Sequence, residues 1–161
     1  MINAIFMKMT DFYEGNLHDI EHFIKVHAYA RTIALGEKLS PTLQTIVEIS
    51  ALVHDIACPL CRQKYGSADG KKQELESPDL LKTFLKEFHL DPDMESRIIY
   101  LVSHHHTVLE AAETDHRILL EADFLVNASE GSASREAIRN FRDKVALTAT
   151  GKQLFDSIYL R

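Results

Sequence analysis

Apolar residues recur at steps of three and four along nearly the whole chain, the spacing of amphipathic helices. Between residues 17 and 39 the stripe is Ile20, Phe23, Ile24, Ala30, Ile33 and Ala34. The pattern predicts helices over about 3–13, ended by Gly15, then 17–39 and 41–56. Ser40-Pro41 reads as an N-cap followed by proline at the first helical position. The third helix is the most apolar (Ile46, Val47, Ile49, Ala51, Leu52, Val53) and should be the most buried. Residues 58–72 hold one proline and two glycines among polar residues, which predicts a loop. Ser77-Pro78-Asp79 opens a helix to about Phe88, and Asp91-Pro92-Asp93 opens one that ends in Ser103-His104-His105-His106. Thr114-Asp115 caps a helix through about Ala128, and two more follow near 134–147 and 152–160. No segment alternates as a strand does. The expectation is an all-α bundle, with residues 1–161 forming one domain.

Composition narrows the function. A chain of 161 residues with 45% hydrophobic content can build one core without disulfides as staples. The net charge of −6 leaves no whole-domain basic footprint for a nucleic acid polymer. A phosphate binder of this charge needs a local cation, and a metal ion would serve. No uninterrupted apolar run reaches the roughly 18 residues of a membrane span. The opening MINAIFMKMTDFYEG lacks a basic region followed by an apolar stretch, so no signal peptide is expected. Two cysteines fit a reducing cytosol, and a cytoplasmic location is the expectation.

Nine histidines stand out, several at readable spacings. His54-Asp55 ends the apolar third helix within ALVHDIA. Two polar groups there are costly unless something satisfies them, although a solvent-facing pair at a helix end is the plain alternative. His22 shares a helix face with Val26 and Ala30, and His18 lies one turn earlier. A core histidine bonded to a carbonyl would look the same. Asp123 lies among Leu119, Leu120, Phe124 and Val126, where a carboxylate wants a cation. The run His104-His105-His106 is either a ligand cluster or an exposed helix end. In chain order this is histidine, histidine-aspartate, histidines, aspartate, drawn from separate helices. Imidazole and carboxylate together suit Mn, Fe, Co, Ni or Zn.

Here the sequence resembles the HD superfamily of phosphohydrolases, whose pattern is H…HD…D on a helical bundle. The pattern falls on His22, His54, Asp55 and Asp123. The form H-x-x-[RK]-V-x-x-x-A stands as HFIKVHAYA from His22 to Ala30, and A-D-x-[LI] stands as Ala122-Asp123-Phe124-Leu125. Only His22, not His18 or His27, has valine at +4 and alanine at +8. The resemblance covers about residues 17–130, with the helices of 134–160 outside it. KYGSADGKKQELESP, HHHT and LLEADFLVN also look like a group of small bacterial HD proteins.

The resemblance implies one or two divalent transition metal ions. His22, His54, Asp55 and Asp123 would hold the first, with Asp55 and His54 central to catalysis by activated water. Two-metal relatives carry extra histidines between HD and the last aspartate; His104 and His105 match that pair, with His106 open. Relatives also place a histidine where Gln73–Ser77 stands here, and Glu76 would substitute as an oxygen ligand. Cationic side chains in the 58–72 loop, Arg62, Lys64, Lys71 and Lys72, could hold the remaining phosphates of a small phosphorylated substrate, a nucleotide among the candidates; lysines of a solvated loop are the plain alternative. Two other classes stay open: a di-iron oxygenase, and a non-catalytic metal or nucleotide-binding module. Cys58-Pro-Leu-Cys61 lacks a second CxxC or a βαβ setting, and Gly66–Lys72 lacks the spacing of a P-loop, so neither carries a function. Glu113, Asp115 and Glu121 read as surface charges. Leu154, Phe155, Ile158 and Tyr159 read as core or as a homodimer surface.

Overall fold

The computed structural model describes residues 1–109 and 112–161. Among them the chain forms nine α-helices and no strand, in accord with the all-α expectation. They are α1 (Ile2–Phe12), α2 (Leu17–Gly36), α3 (Pro41–Val53), α4 (Cys58–Tyr65), α5 (Gly70–Leu85), α6 (Pro92–Val102), α7 (Thr114–Glu130), α8 (Arg135–Lys144) and α9 (Ala149–Tyr159). Short polar side chains start many of them. Asn16, Ser40, Asp91, Ser134 and Thr148 each accept from a backbone N–H two or three residues on. Such a cap contributes about 1 kcal/mol.

α3 is the axis of the bundle, packed by α1, α2, α6 and α7. Every residue from Ile46 to Val53 is buried. Its one buried charge there, Glu48, is met by His27 Nε2 at 3.0 Å and Gln44 Nε2 at 2.8 Å. α2 lies against α3 and α7 and buries Phe23, Val26, Ala30, Ile33 and Ala34. Phe23 alone, fully buried, contributes about 1.5–3 kcal/mol. The stretch Pro41–Tyr65 reaches a mean hydropathy of 1.3, enough in length and composition to cross a membrane. It is broken into α3 and α4, and 67% of its most apolar 18-residue window is buried in the bundle, as a core helix would be.

The structure differs from expectation around the proline and glycine punctuation. α3 stops at Val53, so His54 and Asp55 occupy the turn before α4. The expected loop over 58–72 contains α4: Pro59 sits in its first turn, where a missing N–H costs nothing, and Gly66 ends it at φ +72°. α5 begins at Gly70, capped by Asp69, and Pro78 lies inside it. Pro78 cannot donate to the Glu74 carbonyl one turn back; the buried Ser77 hydroxyl donates to it instead, at 3.4 Å.

Candidate metal centre

Three elements bring four donors to one point. α2 supplies His22, the α3–α4 turn supplies His54 and Asp55, and α7 supplies Asp123. His22 Nε2 lies 3.2 Å from His54 Nε2, 3.2 Å from Asp123 Oδ1 and 3.5 Å from Asp55 Oδ2. His54 Nε2 lies 3.5 Å from Asp55 Oδ2 and 3.6 Å from Asp123 Oδ1. His22, His54 and Asp123 are buried, and Asp55 is partly open to solvent.

The far side of each imidazole fixes what the near side offers. His54 Nδ1 donates to the Ala51 carbonyl at 2.9 Å, so its Nε2 presents a lone pair to the cluster. His22 Nδ1 bonds Glu130 Oε2 at 2.8 Å, and Lys25 holds the other Glu130 oxygen at 3.1 Å. A carboxylate behind a ligating histidine orients the ring and raises its basicity. Two imidazole nitrogens and two carboxylate oxygens this close require a proton or a cation among them. Spacings of 3.2–3.6 Å also suit ligands around one first-row ion, which binds N and O at about 2.0–2.2 Å. The residues present therefore fit a divalent metal.

Charge follows the same geometry. Burial disfavours the imidazolium of His22, but the Asp123 hydrogen bond, the charges of Asp55 and Asp123 and the Glu130 hydrogen bond outweigh it and push the group up to about 9. Burial acts to raise Asp55, yet His54, His105 and His22 hold it well below the usual carboxylate range. Against the same effect of burial, His22 and His54 hold Asp123 down.

A second group adjoins the first: Asp55, His105 and His106 have potential donor atoms within 4.8 Å of one another. His105 is fully buried, donates from Nδ1 to the Val102 carbonyl at 2.7 Å, and leaves Nε2 without a hydrogen-bond partner, 3.5 Å from Asp55 Oδ1. An orphaned buried nitrogen aimed at a carboxylate already shared by another cluster is the strongest sign that a cation belongs there too. Glu74 holds this turn from α5, accepting from His106 N at 3.1 Å and from Thr107 Oγ1 at 3.0 Å. Gly70 lies against the His106 ring so closely that a Cβ would come within 2.7 Å of it.

Several expected residues are placed elsewhere. His104 donates from Nδ1 to the Tyr100 carbonyl and stacks on the Tyr100 ring, so His105 and His106 are the pair beside Asp55. Glu76 is held by Lys64 Nζ at 2.6 Å and Tyr65 OH at 2.5 Å, away from both groups. Lys64 is spent on that contact, and Lys72 lies over the Tyr65 ring at 4.9 Å. None of Lys64, Lys71 and Lys72 lines the cavity over the cluster. The reason is helical: α4 and α5 turn Cys58, Cys61, Gln73 and Ser77 inward and leave the lysines on the outer faces. Asp115 and Glu121, expected on the surface, are buried; Arg97 grips Asp115 through two nitrogens at 2.6 and 2.8 Å.

The cavity encloses about 270 Å³. His22, Asp55 and Asp123 of the cluster line it, with His18, Asp19, Cys58, Arg62, Gln73, Asn127 and Glu130 among others. Asp19 and Glu130 lie outside the motif segments, and Gln73 and Asn127 fall inside two of them without being singled out. Asn127 and Glu130 follow Asp123 at +4 and +7, one face of α7, and that spacing is the signal that could have found them.

The family model described as HD domain matches residues 19–138 of the chain. No curated protein matches it.

Proposed function

We propose that this chain, which belongs to the HD domain family, is a metal-dependent phosphohydrolase that cleaves the phosphate ester or anhydride of a small metabolite, nucleotides included. One observation carries the proposal. Asp55 stands between two donor groups, with Oδ2 beside His22 and His54 and Oδ1 beside His105, in the floor of a cavity open to solvent.

His22, His54, Asp55 and Asp123 would hold one ion, and Asp55, His105 and His106 a second. A bound divalent ion lowers the pKa of coordinated water toward about 7 and offsets charge on a phosphoryl oxygen. The protein's own groups do the rest. The Ala51 carbonyl and Glu130 lock His54 and His22 with Nε2 toward the other donors of the cluster. Asp55, kept anionic by its histidine neighbours, can accept a hydrogen bond from an attacking water and orient it. The bundle walls hold bulk water to one side, which strengthens each of these interactions.

The test is to load metal-free protein with Mn, Fe(II) or Zn, measure bound metal, and screen phosphorylated metabolites for release of inorganic phosphate. Stoichiometric metal without phosphate release from any of them defeats the proposal, and oxygen uptake with an iron-loaded sample would point to an oxygenase instead. The two-ion arrangement has its own expected result. His105→Ala should lose one of two metal equivalents, while His104→Ala and Glu76→Ala keep both. A single equivalent in the wild type at saturation would leave only the first site.

Metal affinity should also depend on pH. In the metal-free protein His22 titrates near 9, above its ordinary 6.5, so its imidazolium stabilises that form. This stabilisation is complete below 6.5 and lost as pH rises through 9. A metal needs the Nε2 lone pair, so uptake below 9 displaces a proton. Mn(II) affinity should rise by up to about tenfold per unit between pH 6.5 and 8.5. Calorimetry in buffers of different ionisation enthalpy would register the proton, and an affinity flat over that range would contradict the assignment.

A further inference from the structure

Four carboxylates line or floor the cavity, Asp19, Asp55, Asp123 and Glu130, whereas Arg62 is its one permanently charged cation among the described residues. The lysines of α4 and α5 lie outside the lining, as does Lys25, which is taken up by the Glu130 and Glu21 carboxylates at 3.1 and 3.5 Å. Arg62 is anchored. It projects from α4 to Asp19 on α2, with Nη2 paired to Oδ2 and Nη1 donating to Oδ1 at 3.4 Å. Asp19 is itself buried and fastened by Asn16 Nδ2 at 2.9 Å. A guanidinium has five N–H donors, and two are used on Asp19. The remaining donors sit on a group already fixed in place beside the cluster, so little freedom is lost when they bind an anion.

Taking the hydrolase reading as its basis, we propose that the cavity accepts a single phosphoryl group, that of a phosphomonoester, and that Arg62 holds it with Asp19 as positioning residue. The charge balance decides between substrate classes. One phosphoryl group at the cluster finds the metal ions and one guanidinium. A second or third phosphoryl adds negative charge where the wall offers Asp19 and Glu130 and no further cation. Polyphosphate sites need several cations or backbone donors for those groups. In the reaction, water oxygen bonds to phosphorus as the ester P–O bond breaks. One water proton goes to the departing alkoxide and the other stays with the phosphate product.

The experiment uses metal-loaded protein with inorganic phosphate, AMP and ADP as probes, read by calorimetry and by phosphate release. Wild type should bind inorganic phosphate and turn over AMP with kcat/KM at least about tenfold above ADP. Arg62→Ala should weaken phosphate binding about 10–100-fold, the loss expected for charge-assisted hydrogen bonds. Arg62→Lys, the second variant should alanine fold poorly, should still lose about tenfold because the fork is gone. Asp19→Asn should raise KM for AMP about 3–10-fold and leave kcat nearly unchanged, a split that a merely structural role would not produce. Metal content and helix signal should match wild type in all three. Unchanged phosphate affinity in Arg62→Ala and Arg62→Lys, or ADP preferred over AMP, overturns the proposal while leaving the hydrolase reading intact. Phosphate binding that depends on Arg62 without hydrolysis of any phosphorylated compound sinks the hydrolase reading and keeps the anion clamp.

Discussion

Asp55→Ala should strip the protein of bound metal and lower phosphate release by at least about 10³-fold, with the helical fold retained. Among the described residues, Asp55 is the one whose carboxylate oxygens face both donor groups: Oδ2 lies 3.5 Å from His22 and His54, and Oδ1 lies 3.5 Å from His105. Its removal takes an oxygen from each group and a negative charge from between three imidazoles. The main chain at this position is held independently. The Asp55 carbonyl accepts from Tyr13 OH at 3.0 Å and from Cys58 N at 2.9 Å, and alanine keeps both bonds. Elemental analysis of the loaded variant, together with its circular dichroism, separates loss of metal from loss of fold. Stoichiometric metal in a folded Asp55→Ala protein would remove Asp55 from the site.

Glu121→Ala should cost about 3–5 kcal/mol and lower Tm by roughly 10 °C without changing metal content. Glu121 is fully enclosed between α7 and the start of α9. Its Oε1 accepts from Leu147 N at 2.7 Å and Thr148 N at 3.0 Å, and its Oε2 accepts from Thr148 Oγ1 at 2.5 Å. Truncation leaves the buried Thr148 N–H and hydroxyl unpaired beside a cavity and frees the Leu147 N–H at its edge. The fit also explains Gly151, since a Cβ there would collide with the Glu121 carboxylate. Calorimetric unfolding checks the value, and a variant melting with wild type would show that water replaces the carboxylate at no cost.

The core of the site is legible from sequence because its residues break a pattern. Asp123 interrupts an apolar helix, and His54-Asp55 ends one. A polar group among apolar neighbours advertises a partner. His22 is separable from His18 and His27 by register alone, and the structure gives the three different surroundings: the cluster, the cavity mouth and Glu48. The histidine run is harder. Adjacent residues after α6 point in different directions, and only the turn geometry puts His105 and His106 beside Asp55 while His104 stacks on Tyr100. Glu76 and the lysines lie away from the clusters and the cavity lining for a related reason. With Pro59, Gly66 and Gly70 as punctuation, 58–72 reads as a loop free to reach the site, with Glu76 just ahead of the Ser77-Pro78 helix start, whereas two helices hold those side chains outward.

Glu121 and Asp115 show the limit from the other side. Both lie on α7, the helix that carries Asp123, and nothing local tells a solvated carboxylate from one paired with Arg97 or with the turn before α9. By itself the sequence determined the helical class, the buried third helix, the family pattern and the four residues of the first cluster, because these rest on periodicity and spacing within short segments. Only the tertiary structure decided the partners: Glu130 behind His22, Asp19 behind Arg62, Glu74 beneath the histidine turn and Thr148 on Glu121. Those pairs join residues up to 108 positions apart, and which groups meet across such distances is set by how helices pack rather than by any local signal.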